Sequence, residues 1–134
     1  MKKRTIIILL TCMLLAAAVV IGFDAFSGKK PYKDLDSTQI ASATVRLQPP
    51  NTTIKIVEIE ELVTYLKDVV IYNEDNSYRE YNGQIVTFTL TMTDGTQINI
   101  MASNPFLVID GVGYKTKYEP CEALNNYANM LLKQ

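Results

Sequence analysis

The chain contains no histidine, and that absence removes more chemistry than any residue present supplies. Without an imidazole there is no Ser-His-Asp or Cys-His pair, no His-bearing zinc site, and no side chain whose ordinary pKa lies near neutrality. Catalysis would have to run on a carboxylate pair, a lysine or an unassisted thiol. No motif for any of these occurs, so no enzymatic role and no cofactor are expected. Cysteine is nearly as scarce: Cys12 sits in an apolar run and Cys121 near the C-terminus. The part after that run therefore has no internal disulfide and must fold on its hydrophobic core. Basic residues form no stripe either. The 13 basic and 14 acidic side chains are interspersed, for a net charge of −1, and no nucleic-acid partner is expected.

What the chain does have is a strong N-terminal signal. Lys2, Lys3 and Arg4 precede an uncharged run from Thr5 to Phe23, which Asp24 ends. About 19 residues rising about 1.5 Å each nearly cover a hydrocarbon core of roughly 30 Å, and the three cations hold the N-terminus in the cytoplasm. A single-pass anchor through residues 5–23 is expected, with the lipid bilayer as partner and everything from Asp24 outside the cell membrane. Two processing alternatives exist. Ala25-Phe26-Ser27 is a small-x-small triplet that a signal peptidase would cut before Gly28, giving a secreted protein, but the apolar stretch is longer than a usual signal core. Lipoprotein processing at Cys12 would place Thr11 where a smaller residue belongs, with apolar residues continuing after the cysteine. The division expected is residues 1–23 anchor, 24–37 polar linker and 38–134 one extracytoplasmic domain.

Within that domain, Ala41, Ala43, Val45 and Leu47 alternate with polar residues, the period of a half-buried strand. Pro49-Pro50-Asn51 breaks it, and Thr52 to Val57 reads as the returning arm of a hairpin. Ile59, Leu62, Val63, Leu66, Val69 and Val70 form the apolar stripe of a helix, with Glu58, Glu60 and Glu61 at its dipole-favoured start. Val86, Phe88, Leu90 and Met92 make one strand face, and Ile98, Ile100 and Ala102 another. A two-residue Asp94-Gly95 turn would put these rows on opposite faces of the sheet. A three-residue Thr93-Asp94-Gly95 turn, with Gly95 left-handed, pairs Leu90 with Ile98, Phe88 with Ile100 and Val86 with Ala102, and is the expected register. The reverse face, with Thr87, Thr89, Thr91, Gln97 and Asn99, is uncharged and free for solvent or a partner. A hairpin from Phe106 through Asp110-Gly111 follows, then a helix with Pro120 at its first position and Cys121, Leu124, Ala128 and Leu131 on one face. The order implies an α+β fold: an antiparallel sheet of five to six strands with two helices on one face, preceded by a transmembrane helix.

Three features are candidates for function. The segment from Tyr72 to Gly83 is polar and long for a connection, and its Tyr72, Tyr78, Arg79 and Tyr81 suit a protein or cell-wall ligand, although Tyr78 and Tyr81 would equally fold back on a sheet edge. Glu74, Asp75 and Glu80 lack the ligand spacing of a calcium loop, and no metal is expected. Tyr114, Lys115, Lys117 and Tyr118 interleave cations with aromatics as an anion or glycan platform would. Gly111 and Gly113 lead into a strand and so read as turn residues rather than a phosphate loop. Cys121 stands near a helix start, where a thiolate is favoured, but on the apolar stripe and between Glu119 and Glu122. It reads as a buried small hydrophobe.

The cationic start with one span, the opening Ile40-Ala41-Ser42-Ala43-Thr44-Val45, the helix Ile59-Glu60-Glu61-Leu62-Val63, the strand-DG-strand hairpin and the ending from Gly113-Tyr114-Lys115 to Cys121-Glu122-Ala123-Leu124 form one pattern. That pattern resembles small, uncharacterised exported proteins of Gram-positive bacteria. The resemblance implies a bacterial cell-surface domain and carries no active site with it. The expected role is a membrane-anchored, non-enzymatic binding or accessory module for a protein or envelope component. The alternative is a secreted inhibitor or immunity-type protein released by cleavage after Ser27.

Overall fold

The computed structural model describes residues 28–134; the expected anchor and the first part of the linker lie outside the described residues. Among the described residues, no helix is long and apolar enough to cross a membrane. Among the described residues seven strands form: β1 Ile40–Gln48, β2 Thr52–Ile56, β3 Ile71–Glu74, β4 Ile85–Met92, β5 Gln97–Ser103, β6 Phe106–Ile109 and β7 Val112–Thr116. The helices are α1 Ile59–Lys67 and α2 Tyr118–Leu132. The strands make one sheet in the order β2-β1-β4-β5-β6-β7-β3, each neighbouring pair antiparallel. The fold is thus α+β, with seven strands instead of the five to six expected. Val45, Val86, Phe88, Leu90, Ile100 and Leu107 from one face of the sheet share a single buried cluster with Leu62 and Leu66 of α1 and Leu124, Tyr127 and Ala128 of α2.

The β4–β5 hairpin has the register that side-chain parity demands: Leu90 opposite Ile98, Phe88 opposite Ile100, Val86 opposite Ala102. Gly95 takes φ +90°, and the Met92 amide donates to the Thr96 carbonyl at 2.8 Å, closing a three-residue turn. Asp94 Oδ1 accepts from the Thr96 amide at 2.9 Å and so fixes the turn from inside.

Four expectations need correction. Ala41 points outward and Ile40 is buried in its place, because a bulge between Ile40 and Ser42 reverses parity at the start of β1. Helix α1 ends at Lys67; Val69 and Val70 stay buried, but in the turn leading to β3, where the helical stripe continues only by coincidence of spacing. Pro120 is the third helical residue of α2, still inside the first turn, where an amide has no intrahelical acceptor to lose. The described part of the linker belongs to the domain: Lys29 and Ile71 exchange two backbone hydrogen bonds of 2.8 Å, and Tyr32 and Leu35 are buried in the common core.

The added strand β3 sets the shape of the candidate region. It lies at the sheet edge beside β7 and runs parallel to β4, with three strands between them, so residues 75–84 must recross the sheet to join them. This connection passes over the face opposite the helices. Gly113, whose register places it on that face, is covered by the ring of Tyr78, and Val108 and Ser103 of the same face are buried. The chain there is a strap across the sheet.

Candidate functional site

The strap is fastened at both ends and in the middle. Asp75 donates its amide to the Gly113 carbonyl at 2.8 Å, prolonging the β3–β7 ladder, and its Oδ1 accepts from the Ser77 amide at 2.9 Å to start a short 3-10 helix over Ser77–Glu80. Hydrogen bonds from Ser77, and secondarily the charge of Lys115, hold the Asp75 carboxyl below the usual carboxylate range. Asn76 Oδ1 accepts from the Gly113 amide at 2.9 Å, and the Tyr78 hydroxyl donates to the Gly111 carbonyl at 3.1 Å. At the far end, Gln84 Nε2 donates to the Pro49 carbonyl at 2.9 Å and to Asn129 Oδ1 at 3.2 Å. Backbone groups of two turns and both sheet ends thus hold a segment that carries no regular strand of its own.

These contacts sort the expected site residues into two groups. Tyr78, Arg79 and Lys115 come together where the strap leaves the β3–β7 edge, while Tyr72 packs in β3 against Gly28 and Tyr81 lies farther along the strap, against Gly83. Tyr72 and Tyr78 are half-buried, and Tyr78 is a packing residue, its ring lying against Gly113 while the Arg79 guanidinium sits 5.8 Å from the ring centroid. Arg79, Tyr81 and Lys115 are exposed. The Lys115–Asp75 pair at 4.0 Å is open to solvent and adds little stability. Lys117 and Tyr118 are not part of this group: they stand where β7 passes into α2, at the opposite end of β7 from the Gly111 turn. Tyr114 belongs to neither, because strand alternation turns it to the helix side, opposite Leu107.

Beside Lys117 lies a groove of about 460 Å³ between the end of α1 and the start of α2. Tyr65, Val70, Pro120 and Ala123 give it an apolar floor; Lys30, Lys117, Asp68 and Glu119 supply two charges of each sign at its rim. Of these, only Lys117 was a candidate from the sequence. The others come from the segment after Gly28, α1, the turn before β3 and α2, which meet through long-range contacts, the Lys29–Ile71 pairing among them, that have no local signature.

Compared with models of known protein families, with curated proteins and with solved structures, the chain matches none. The site is therefore read on its own geometry. Among the described residues, no three His, Cys, Asp or Glu side chains are placed to hold a metal ion. The uncovered part of the outer face carries ordered rows: Thr53, Arg46, Thr87 and Met101 face one another across β2, β1, β4 and β5, and Lys55, Thr44, Thr89 and Asn99 form the next row. Thr89 Oγ1 donates to Asn99 Oδ1 at 3.0 Å, so part of this polar surface is pre-ordered.

Cys121 is fully buried, with Sγ 3.7 Å from the Phe106 carbonyl oxygen. Burial, with the Glu122 charge adding to it, pushes the thiol from 9.0 up to about 12. Burial likewise takes the Tyr127 hydroxyl from 10.0 to about 12. Both groups are neutral when protonated, so their raised folded-state pKa values stabilise the fold fully below the unfolded values. That contribution disappears as pH rises from about 9 to about 12, each group adding a slope of at most about 1.4 kcal/mol per pH unit. Denaturant titrations across this range should show the loss, and Cys121→Ala should flatten it. In a Cys12→Ala background the native thiol should resist a soluble maleimide at neutral pH and react only on unfolding.

Proposed function

We propose that this chain is a membrane-anchored, extracytoplasmic and non-enzymatic binding module, an accessory to a protein or an envelope component. The observation that carries the reading is the half-covered sheet. The helices occupy one face, the strap covers part of the other, and the remaining rows of threonine, Arg46, Lys55 and Asn99 stay open beside exposed Arg79, Tyr81 and Lys115. An ordered polar face with few charges, flanked by tyrosine and arginine, has the composition of a recognition surface. The run ends at Phe23 and Gly28 is already packed against Val70 and Tyr72, so an uncleaved anchor would hold the domain close to the bilayer.

The secreted-inhibitor reading requires the segment from Tyr72 to Gly83 to project into an enzyme cleft. The fastening of Tyr78 to Gly111 and Gly113 weighs against it, since the segment lies flat on its own sheet. Fractionation of native cells, followed by intact mass of the recovered protein, tests the choice. A full-length species in the membrane fraction is expected; a soluble species beginning at Gly28 would replace the anchored reading with the secreted one. Crosslinking in the membrane should then capture a partner from wild type and lose it with Arg79→Ala plus Tyr81→Ala, with thermal melting unchanged.

A further inference from the structure

We infer that the corner formed by Lys30, Lys117 and Tyr118, with the groove behind it, rests on the phospholipid headgroups of the bilayer in which the protein is anchored. The inference depends on the anchored reading and adds an orientation and a ligand class to it. Only Asp24 to Ser27 separate Phe23 from Gly28. A fully extended chain covers at most about 3.5 Å per residue, so Gly28 lies within roughly 17 Å of the hydrocarbon boundary. Gly28 is not a loose point of attachment, because the next residue is paired in both directions with Ile71 of β3. The β3 side of the domain must therefore face the membrane, and the opposite edge, β2, stands about 29 Å farther across seven strands.

What this side presents suits a headgroup layer. Lys30, two residues past the entry point, and Lys117 flank the groove. Tyr118, next in sequence, is 59% exposed at the start of α2, an amphipathic ring with an apolar body and a polar tip of the type that settles at membrane interfaces. Lysines reach a phosphate layer with their charged ends while their stems cover apolar surface, and each gains from an anionic leaflet. The start of α2 has no side-chain cap and lines the same groove through Glu119 and Pro120, so its dipole favours phosphate oxygens there. Asp68 and Glu119 at the rim oppose the lysines and suit the ammonium or hydroxyl portion of a headgroup.

The chain has no tryptophan, so a single one reports its own position. Full-length Tyr118→Trp and full-length Val57→Trp are reconstituted in vesicles of a zwitterionic phospholipid, with or without an anionic one, containing a headgroup-labelled quencher lipid. Val57, 79% exposed just beyond β2, marks the far edge. Strong quenching at position 118 and little at 57 is expected. Adding Lys30→Gln and Lys117→Gln to Tyr118→Trp should cut the extra quenching seen with anionic lipid by roughly tenfold. Equal quenching at the two positions, or an unquenched Trp at 118 in a chain that resists alkaline carbonate extraction, overturns this inference alone. Release of the chain by carbonate overturns the anchor and this inference with it.

Discussion

Phe88→Ala is expected to cost about 3–5 kcal/mol, among the largest losses from a single side chain in this domain. Phe88 is fully buried in β4, and its ring lies parallel to Tyr127 of α2 with centroids 6.3 Å apart. Tyr127 in turn stacks on Tyr65 of α1 at 4.7 Å. Three rings therefore connect the middle of the sheet to both helices, and the last of them forms part of the groove floor. Truncating the first ring opens a cavity under the other two, so the cost combines lost transfer energy with lost stacking. For a domain of about a hundred residues this amounts to a fall in melting temperature of at least about 12 °C, a large fraction of total stability. Phe88→Leu should cost less than half as much, since most of the volume returns. Thermal and denaturant unfolding of the full-length chain in micelles checks both, and an alanine cost below that of the leucine variant would rule out the stack as the organising feature.

The ring stack also shows where sequence reasoning reached its limit. Phe88 was legible as core because it belongs to an alternating row, and the same parity fixed the hairpin register at Gly95. Tyr127 was not, because a tyrosine on a helix otherwise read from Cys121, Leu124 and Ala128 has no local mark of burial; its hydroxyl finds no partner inside the core. Strand β3 was missed for a related reason. Ile71-Tyr72-Asn73-Glu74 does not alternate, and it becomes a strand only because β7 on one side and Lys29 on the other supply hydrogen bonds. The same pairing turned a lysine-rich linker into part of the fold and brought Lys30 to the groove. Of the candidate site, the tyrosines and lysines were visible as residue types, but their division between strap, helix-side face and groove depended on a crossover spanning three strands. Parity is local and reads well; which edge a segment joins is global and does not.

The strap yields the second large effect, through a residue without a side chain. Gly113→Ala should cost about 2–3 kcal/mol and release the strap, because the substitution pits one methyl group against backbone. A Cβ at this position would collide with the Asp75 carbonyl oxygen and stand 2.5 Å from Tyr78 Cδ1. The tyrosine ring turns aside only by giving up its bond to Gly111, and the carbonyl belongs to the residue whose amide bonds Gly113, so relief requires β3 and β7 to separate. That movement also strains the Asn76 and Tyr78 hydrogen bonds, which hold the crossing to the outer face. Gly95→Ala is the contrast: nothing lies within 4 Å of a Cβ there, and the cost is the left-handed backbone alone, about 1 kcal/mol. Limited proteolysis distinguishes the two mechanisms. Gly113→Ala should open cleavage between residues 76 and 83 under conditions where Gly95→Ala and wild type stay intact there. If Gly113→Ala melts like wild type and leaves that segment protected, the close approach of strap to sheet is not what keeps Tyr78 in place. The hydrogen bonds between Asn76 and Gly113 and between Tyr78 and Gly111 would then be enough to hold the strap on the outer face.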